Sequence, residues 1–458
     1  MTRVPERSVK RRIRRRSGLD AASNLPEEVH PVLRRVLAAR QVTEPDQLDQ
    51  GLKAIHAPGR LANMDQAAAL LEEQIAGGGR ILLVGDFDAD GATSVAVALR
   101  SLRAMGAGHV DYVVPNRFDF GYGLSPEIVD VAAERGPDLI ITVDNGISSI
   151  DGVDAARARG IRVLVTDHHL PGERLPAADA IVNPNLPECG FPSKNLAGVG
   201  VIFYVMLALR ARLRDRGWFT RAGVAEPRLA DVLELVALGT VADVVPLDRN
   251  NRILVEQGLR RIRAGRACPG IVALLDVSGR DPRRAVASDL AFAVGPRLNA
   301  AGRLEDMSLG IECLLSDDPA AAHEMAVELD ALNRQRRTIE GQMKAEAMAE
   351  VERMTGNLAA DALPRGLCLL DEGWHQGVIG IVASRIKERF HRPVVAFAPA
   401  GDDELKGSAR SVPGIHMRDL LEQVGTRNPG LIPKFGGHAM AAGLTLRSGD
   451  FDTFRDAF

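Results

Sequence analysis

From Arg80 onward the chain alternates short apolar, β-branched runs with stretches whose apolar residues recur every three or four positions. The runs Ile81–Val84, Val110–Val114, Leu139–Val143 and Val163–Thr166 predict buried parallel strands. Segments near 92–105, 125–135 and 148–159 predict the helices between them. This order predicts an α/β fold built on a doubly wound parallel sheet with helices on both faces. In such sheets ligands collect beyond the carboxyl ends of the strands. Ahead of the sheet, residues 26 to 76 read as short helices, with apolar spacing at Val32, Leu33, Val36 and Leu37, that cap the first strand. Behind it, Leu196–Leu213, Arg228–Leu238 and Arg252–Arg263 carry helical spacing. Asp318-Pro319 is a helix start, an acid at the cap followed by proline in the first turn. From there to about Met354, Met325, Leu329, Leu332, Ile339, Met343 and Val351 form one stripe, a strut of roughly 50 Å that Gly356-Asn357 ends. A second, smaller α/β unit begins near Gly366, with strands at Leu367–Leu370 and Val394–Ala398 flanking a helix from about Val378 to Arg389. The expected partition is a basic arm at 1–25, a first domain at 26–318, a connecting helix at 319–357 and a second domain at 358–458.

Polar residues fall where the strand pattern stops. Asp86, Asp88 and Asp90 follow the first strand at every second position, so an extended backbone projects all three to one side, and Gly91 supplies the turn into a helix. Three neighbouring carboxylates repel one another, and a divalent cation with its preference for several oxygen ligands reverses that repulsion. An acidic surface loop capping a helix is the plainer alternative. The third strand ends in Asp144-Asn145-Gly146 and the fourth in Asp167-His168-His169, each adding a carboxylate or imidazole to the same edge. Within LGTVADVVPL, Asp243 sits among apolar residues and reads either as a further ligand or as a helix cap or core acceptor. VGPRLNAAGRLED offers Arg297, Asn299 and Arg303 beside small residues; guanidinium groups match phosphate oxygens, although a helix end with surface arginines has the same composition. GWHQGVIGIVASRI opens its helix with glycines whose amides suit an anion. LKGSARS and KFGGHAMAAG place Ser408, Arg410 and His438 on what read as glycine-rich turns.

Composition narrows the class. Of 458 residues, 46% are apolar, enough for two or three cores, and no apolar run reaches the length of a membrane span. The N-terminus lacks the apolar segment of a secretory signal, which leaves the cytoplasm as the expected compartment. Cys189, Cys268, Cys313 and Cys368 are far apart and form no CxxC pair, so they read as reduced core residues rather than zinc or disulfide frameworks. The formal net charge is −3, which by itself announces no nucleic-acid binder. Between Arg3 and Arg16, however, eight basic residues accompany a single acid, Glu6, an arm that either tracks phosphates or is simply solvated.

The Asp-His-His triplet at 167–169, GDFDADGATS, TVDNG at 142–146, GTVADVVPL, RLNAAGR and GGHAMAAG resemble, in order and spacing, the DHH phosphoesterases that carry a DHHA1 domain. Within that family, NRFDFGYGL (Asn116–Leu124) and GWHQGVIGIVASRI are similar to the RecJ group of single-strand-specific exonucleases. The resemblance implies two domains facing a groove, with a two-ion centre (Mn²⁺ or Mg²⁺) in the first and a 5′-end pocket contributed by the second. It implies that Asp88, Asp90, Asp144, His168 and Asp243 are metal ligands and that Asp86, Asp167 and His169 belong to the same catalytic group. Arg117 and Tyr122 would contact the nucleotide near the cut, and Arg297, Asn299, Arg303, Ser408, Arg410 and His438 would contact phosphate. The expected activity is 5′-to-3′ exonucleolysis of single-stranded DNA to 5′-mononucleotides in DNA repair and recombination, with single-strand-binding protein and a helicase as partners and no membrane. A DHH phosphodiesterase of short oligonucleotides or cyclic dinucleotides is the alternative that chain length and NRFDFGYGL disfavour. A non-catalytic single-strand-binding scaffold is a second, disfavoured because every metal-binding acid is present. RecJ-like chains continue into an oligonucleotide-binding barrel, whereas this sequence stops at Phe458 inside an expected helix. Either the chain is truncated or it lacks that grip, which bears on its hold on long DNA.

Overall fold

In the computed structural model, which describes residues 24–115, 123–355, 364–401 and 403–458 (backbone alone for 352–355), the first sheet has five strands, all parallel. These are β1 (Arg80–Gly85), β2 (His109–Val113), β3 (Leu139–Val143), β4 (Arg162–Thr166) and β5 (Ala180–Val182), in the order β2-β1-β3-β4-β5. β1 and β3 are buried along nearly their whole length, as expected of strands covered on both faces. The chain leaves β1 through the Ala89–Ala104 helix toward β2, then returns through Pro126–Ala133 past β1 to β3. Right-handed crossovers in opposite directions place these helices on opposite faces. Ala89–Ala104 packs against Gly198–Asp215 and Leu233–Ala242, and Pro126–Ala133 against Ile150–Ala158. The reversal between β1 and β3 opens a crevice at their carboxyl ends. β5 escaped the sequence pattern because three residues are too few to show a period.

The long helix runs from Pro319 to Thr355, about 55 Å at the α-helical rise. Ala322, Ala326, Leu329 and Leu332 belong to the core of the first sheet, and Met343, Ala347 and Val351 to that of the second. It is thus a shared wall of two cores. The second sheet is mixed, in the order β6 (Leu367–Leu370), β7 (Val394–Pro399), β8 (Glu404–Arg410), β10 (Ala441–Arg447), β9 (Lys434–Gly437). One face packs on the Ile379–Phe390 helix and the long helix, the other on Met417–Arg427 and Phe454.

Two expectations need correction. LKGSARS and most of KFGGHAMAAG are strands β8, β9 and β10, and not turns: the small residues allow close packing, and a Cβ on Gly407 would lie 2.5 Å from the Phe397 ring. In the Pro31–Ala38 helix, Val32, Leu33 and Val36 face solvent and only Ala38 is buried, so its apolar stripe does not cap the first strand. The four cysteines are free and buried, as expected. Among the described residues no helix is long and apolar enough to cross a membrane. The basic arm to residue 23, Arg117, Tyr122 and the Gly356-Asn357 helix end lie outside the described residues.

Candidate active site

The helix after β1 begins already at Ala89, with Asp88 at its cap and Asp90 in its first turn, so the three acids do not project from one extended backbone as expected, and they do different work. Asp88 caps that helix, its Oδ1 accepting from the amides of Asp90 (2.9 Å) and Gly91 (3.0 Å). Gly91 is required here, since a Cβ would lie 2.4 Å from the Asp86 carbonyl oxygen. Asp86 is buried at the end of β1 and accepts from the Phe87 amide at 2.7 Å. Asp90, 1% exposed, accepts from the amides of Gly198 (2.6 Å) and Val199 (2.9 Å), so the start of the Gly198–Asp215 helix is docked on it. Burial and the neighbouring Asp88 push its carboxyl up to about 7.

Asp144, immediately after β3, is buried and has φ +64°. Aspartate tolerates this left-handed backbone better than most residues. Its amide donates to the Thr166 carbonyl at 3.1 Å, and Gly198 leaves room for its side chain, because a Cβ there would lie 2.6 Å from Asp144 Cβ. Burial, then the charges of Asp90, Asp88, Asp86 and Asp243, raise its carboxyl well above the usual carboxylate range. Asn145 donates to the carbonyls of Val84 (3.0 Å) and Val143 (2.9 Å), pinning β1 to β3 where the crevice opens.

At the end of β4, Asp167 is an organiser. It accepts from the amides of His168 (2.7 Å), His169 (3.1 Å) and Ile147 (2.9 Å) and pairs with His169 Nδ1 at 2.7 Å. Burial opposes its ionisation, but these hydrogen bonds outweigh it and hold the carboxyl below its ordinary value. Burial likewise opposes a charged His169, yet Asp167 prevails and pushes it up to about 9. His168 goes the other way, down to about 4, through burial and the charge of His169. It is therefore neutral near pH 7.

His168 Nε2 lies 3.1 Å from Asp144 Oδ1 and 3.6 Å from Asp243 Oδ2, is buried, and has no hydrogen-bond partner. The imidazole's other hydrogen bond goes to the Leu196 backbone, so Nε2 turns a lone pair toward two carboxylates. That contact suits a cation between them. Asp243, at the C-terminal end of the Leu233–Ala242 helix, is pushed up to about 9 by burial and by Asp90 and Asp88. Three sets of donor atoms each fall within 4.8 Å: Asp86, Asp88 and Asp144; Asp90, His168 and Asp243; and Asp144, His168 and His169. The sets overlap at Asp144 and His168: a carboxylate has two oxygens to divide between neighbouring cations, whereas the His168 Nε2 lone pair serves one, and mixed carboxylate and imidazole donors fit Mn²⁺ or Mg²⁺.

The second domain reaches this edge with His438, whose ring stacks on His169 at 6.4 Å between centroids and 21° between planes. Ser408 and Arg410 share one face of β8 and pack on Gly380 in the first turn of the Ile379–Phe390 helix; Arg410 Nη1 donates to Ser408 Oγ at 3.0 Å. Arg303 donates to the Gly377 carbonyl at 3.2 Å, linking the domains. Two other expected phosphate contacts have internal partners. Arg297 forms an ion pair with Asp330 at 2.7 Å, and Asn299 Oδ1 accepts from the Ala89 amide at 2.8 Å, beside Asp88. Sequence reasoning missed Asn145, Asn183 and Asn185. The last two donate to the carbonyls of His169 (2.9 Å) and His168 (2.6 Å), and a short apolar run followed by VNPN was their signal.

Known proteins agree with this architecture. Residues 80–240 match the model of the DHH family N-terminal domain, and residues 357–458 that of the DHHA1 domain. The chain is 59% identical over 438 residues to the single-stranded-DNA-specific exonuclease RecJ of Dickeya dadantii, covering 96% of this chain and 76% of that protein. RecJ of Thermus thermophilus, solved in complex with Mn²⁺, superposes with a TM-score of 0.75 at 34% identity, over 92% of this chain and 57% of that one. The same protein solved with Mg²⁺ gives 0.68 at 32% identity, over 92% and 55%. With a parallel sheet that gathers acids and imidazoles at one edge, a second domain closing on them and relatives of this similarity, the chain belongs to the RecJ family of DHH and DHHA1 proteins.

Proposed function

We propose that this protein is a metal-dependent exonuclease that degrades single-stranded DNA from the 5′ end and releases 5′-mononucleotides. The observation behind it is the convergence of Asp88, Asp90, Asp144, His168 and Asp243, from four separate segments, in overlapping donor sets, with Asp144 and Asp243 directly against His168 Nε2. These five residues would hold two divalent cations, Mn²⁺ or Mg²⁺, which when bound lower the pKa of water and offset charge on the scissile phosphate. Asp144 is the member best placed to serve both ions, and Asp86 completes the oxygen-rich side. Asp167 fixes the direction of His169, whose retained proton offsets negative charge on a phosphate oxygen at neutral pH. From the other wall Ser408, Arg410 and His438 receive a terminal phosphate, the guanidinium supplying paired donors. Arg117 and Tyr122 complete the proposal as contacts to the nucleotide at the cut, and Arg297, Asn299 and Arg303 as the side of the groove that positions the strand.

The domains of this reading are 26–318 for catalysis, 319–357 for connection and 358–458 for the terminal phosphate. Work in the cytoplasm, in repair and recombination beside a helicase and single-strand-binding protein, belongs to the same proposal. Digestion of end-labelled single strands with Mn²⁺ or Mg²⁺ tests it. A 5′-phosphorylated strand should yield mononucleotides, a 5′ block should stop the reaction, and a 3′ block should not. Equal sensitivity to both blocks would overturn the polarity. Hydrolysis confined to dinucleotides would overturn the substrate.

A further inference from the structure

Beyond Asn299 and Arg303 a groove of about 1050 Å³ runs between the first domain, the long helix and the Ile379–Phe390 helix. Seven arginines and lysines line it against two glutamates. Arg336 is paired with Glu340 at 2.6 Å, whereas Arg337, Lys344 and Arg389 are exposed and form no ion pair among the described residues. Such a lining matches a polyanion.

One lining residue does not fit a phosphate track. Phe292 is 79% exposed at the margin of the groove. It lies in the one-turn π-helix Leu290–Val294, whose Leu290, Ala293 and Val294 are buried, so the wide turn presents a single aromatic ring to solvent. Single turns of π-helix are enriched at functional positions. The Gly295–Leu304 helix then packs directly on Ala242, beside Asp243, since a Cβ on Gly295 would lie 3.2 Å from Ala242 Cβ. The exposed ring therefore lines the basic groove, on the segment that leads into the helix packed beside Asp243.

We propose that Phe292 is a base-stacking platform for single-stranded DNA, holding the strand as its phosphates follow the groove cations. Every base has a π-face, so stacking grips a strand without selecting sequence, while arginines and lysines follow the backbone. This rests on the single-strand reading and adds a residue to it that touches neither the ions nor the terminal phosphate.

Binding of a fluorescein-labelled 20-nucleotide oligothymidylate, followed by anisotropy in EDTA so that no cutting occurs, tests it on the whole chain. Phe292→Ala should weaken binding about tenfold, the scale of one lost base stack. Phe292→Trp should bind within about twofold of the parent. A strand of the same length with abasic sites in place of its bases should bind parent and Phe292→Ala alike. Equal affinity of parent and Phe292→Ala for oligothymidylate would overturn the stacking role. A defect that persists on the abasic strand would overturn it too, by assigning the effect to the backbone. A parent that binds no strand at all would overturn the single-strand reading beneath it.

Discussion

The two sheets build their shares of the site by opposite means. The parallel sheet works with strand ends: Asp86 and Asp144 stand where β1 and β3 stop, at the crevice where chain direction reverses, and Asp167 stands at the end of the next strand, β4. The mixed sheet works with a strand face: Ser408 and Arg410 point the same way from β8, and His438 follows β9 at the sheet edge. The first arrangement crowds like charges in a buried place, and the raised carboxyls of Asp90, Asp144 and Asp243 record its cost. The second brings donors that already have partners. Buried, crowded charge is therefore concentrated in the first domain, and the proposed division of labour puts chemistry there and positioning in the second.

Removing a charge from the crowded side gives the largest expected effect. Asp144→Asn keeps the shape and tolerates φ +64°, so it should fold, while activity should fall at least about a thousandfold through loss of the ligand proposed for both ions. In chelator the same variant should melt roughly 2 °C or more above the parent, because it relieves buried repulsion. Near-parental activity would remove Asp144 from the catalytic group. Next comes the contact between domains. Gly377→Ala would place a Cβ 2.1 Å from the Arg303 carbonyl oxygen, forcing the second domain away. An ångström of misplacement can cost about a hundredfold in rate, and a loss of that order with metal binding unchanged by calorimetry is the expected result.

A smaller effect separates phosphate capture from chemistry. Arg410→Ala should raise KM for 5′-phosphorylated strands about tenfold and change kcat little. It should matter far less for strands ending in a 5′ hydroxyl. Equal loss on both substrates would contradict the assignment of the mixed sheet to the terminal phosphate.

The smallest effect is the pH dependence of stability in chelator. Asp90 (about 7), Asp243 (about 9) and His169 (about 9) all bind protons more tightly folded than unfolded. Above pH 6.5 the native state therefore holds more protons than the unfolded chain, and stability falls as pH rises toward 9. His168, shifted down to about 4, acts with opposite sign but only below about pH 6.5. The melting temperature should drop by a few degrees from pH 6.5 to 9. The drop should shrink in Asp243→Asn, and a parent melting temperature rising with pH would refute this account.

Much of the first domain was legible because its signals are local. Four strands, and the acids that follow three of them, are local features, each acid standing next to the end of its strand, and apolar period with abrupt polarity marks both. The 319–355 helix was equally readable, from a cap at one end and a stripe throughout. Glycine-rich β8 to β10 were not: small residues mark turns and close-packed strands alike, and only the neighbouring Phe397 and Leu444 decide between them. From its neighbours alone Asp243 read as ligand or helix cap alike, and only the family resemblance set it among the metal-binding acids, since the geometry that brings it to His168 is set by helices packed on the Ala89–Ala104 segment.

By itself, then, the order of residues determined the alternation of strands and helices, the positions of the acids and the family they resemble. These follow from periodicity and from the chemistry of side chains at strand ends. Tertiary packing decided which carboxylates share a neighbour, that Asp167 orients His169, that Arg297 is occupied by Asp330, and that Phe292 stands uncovered. Each of those outcomes depends on contacts between segments far apart along the chain, and no local pattern encodes them.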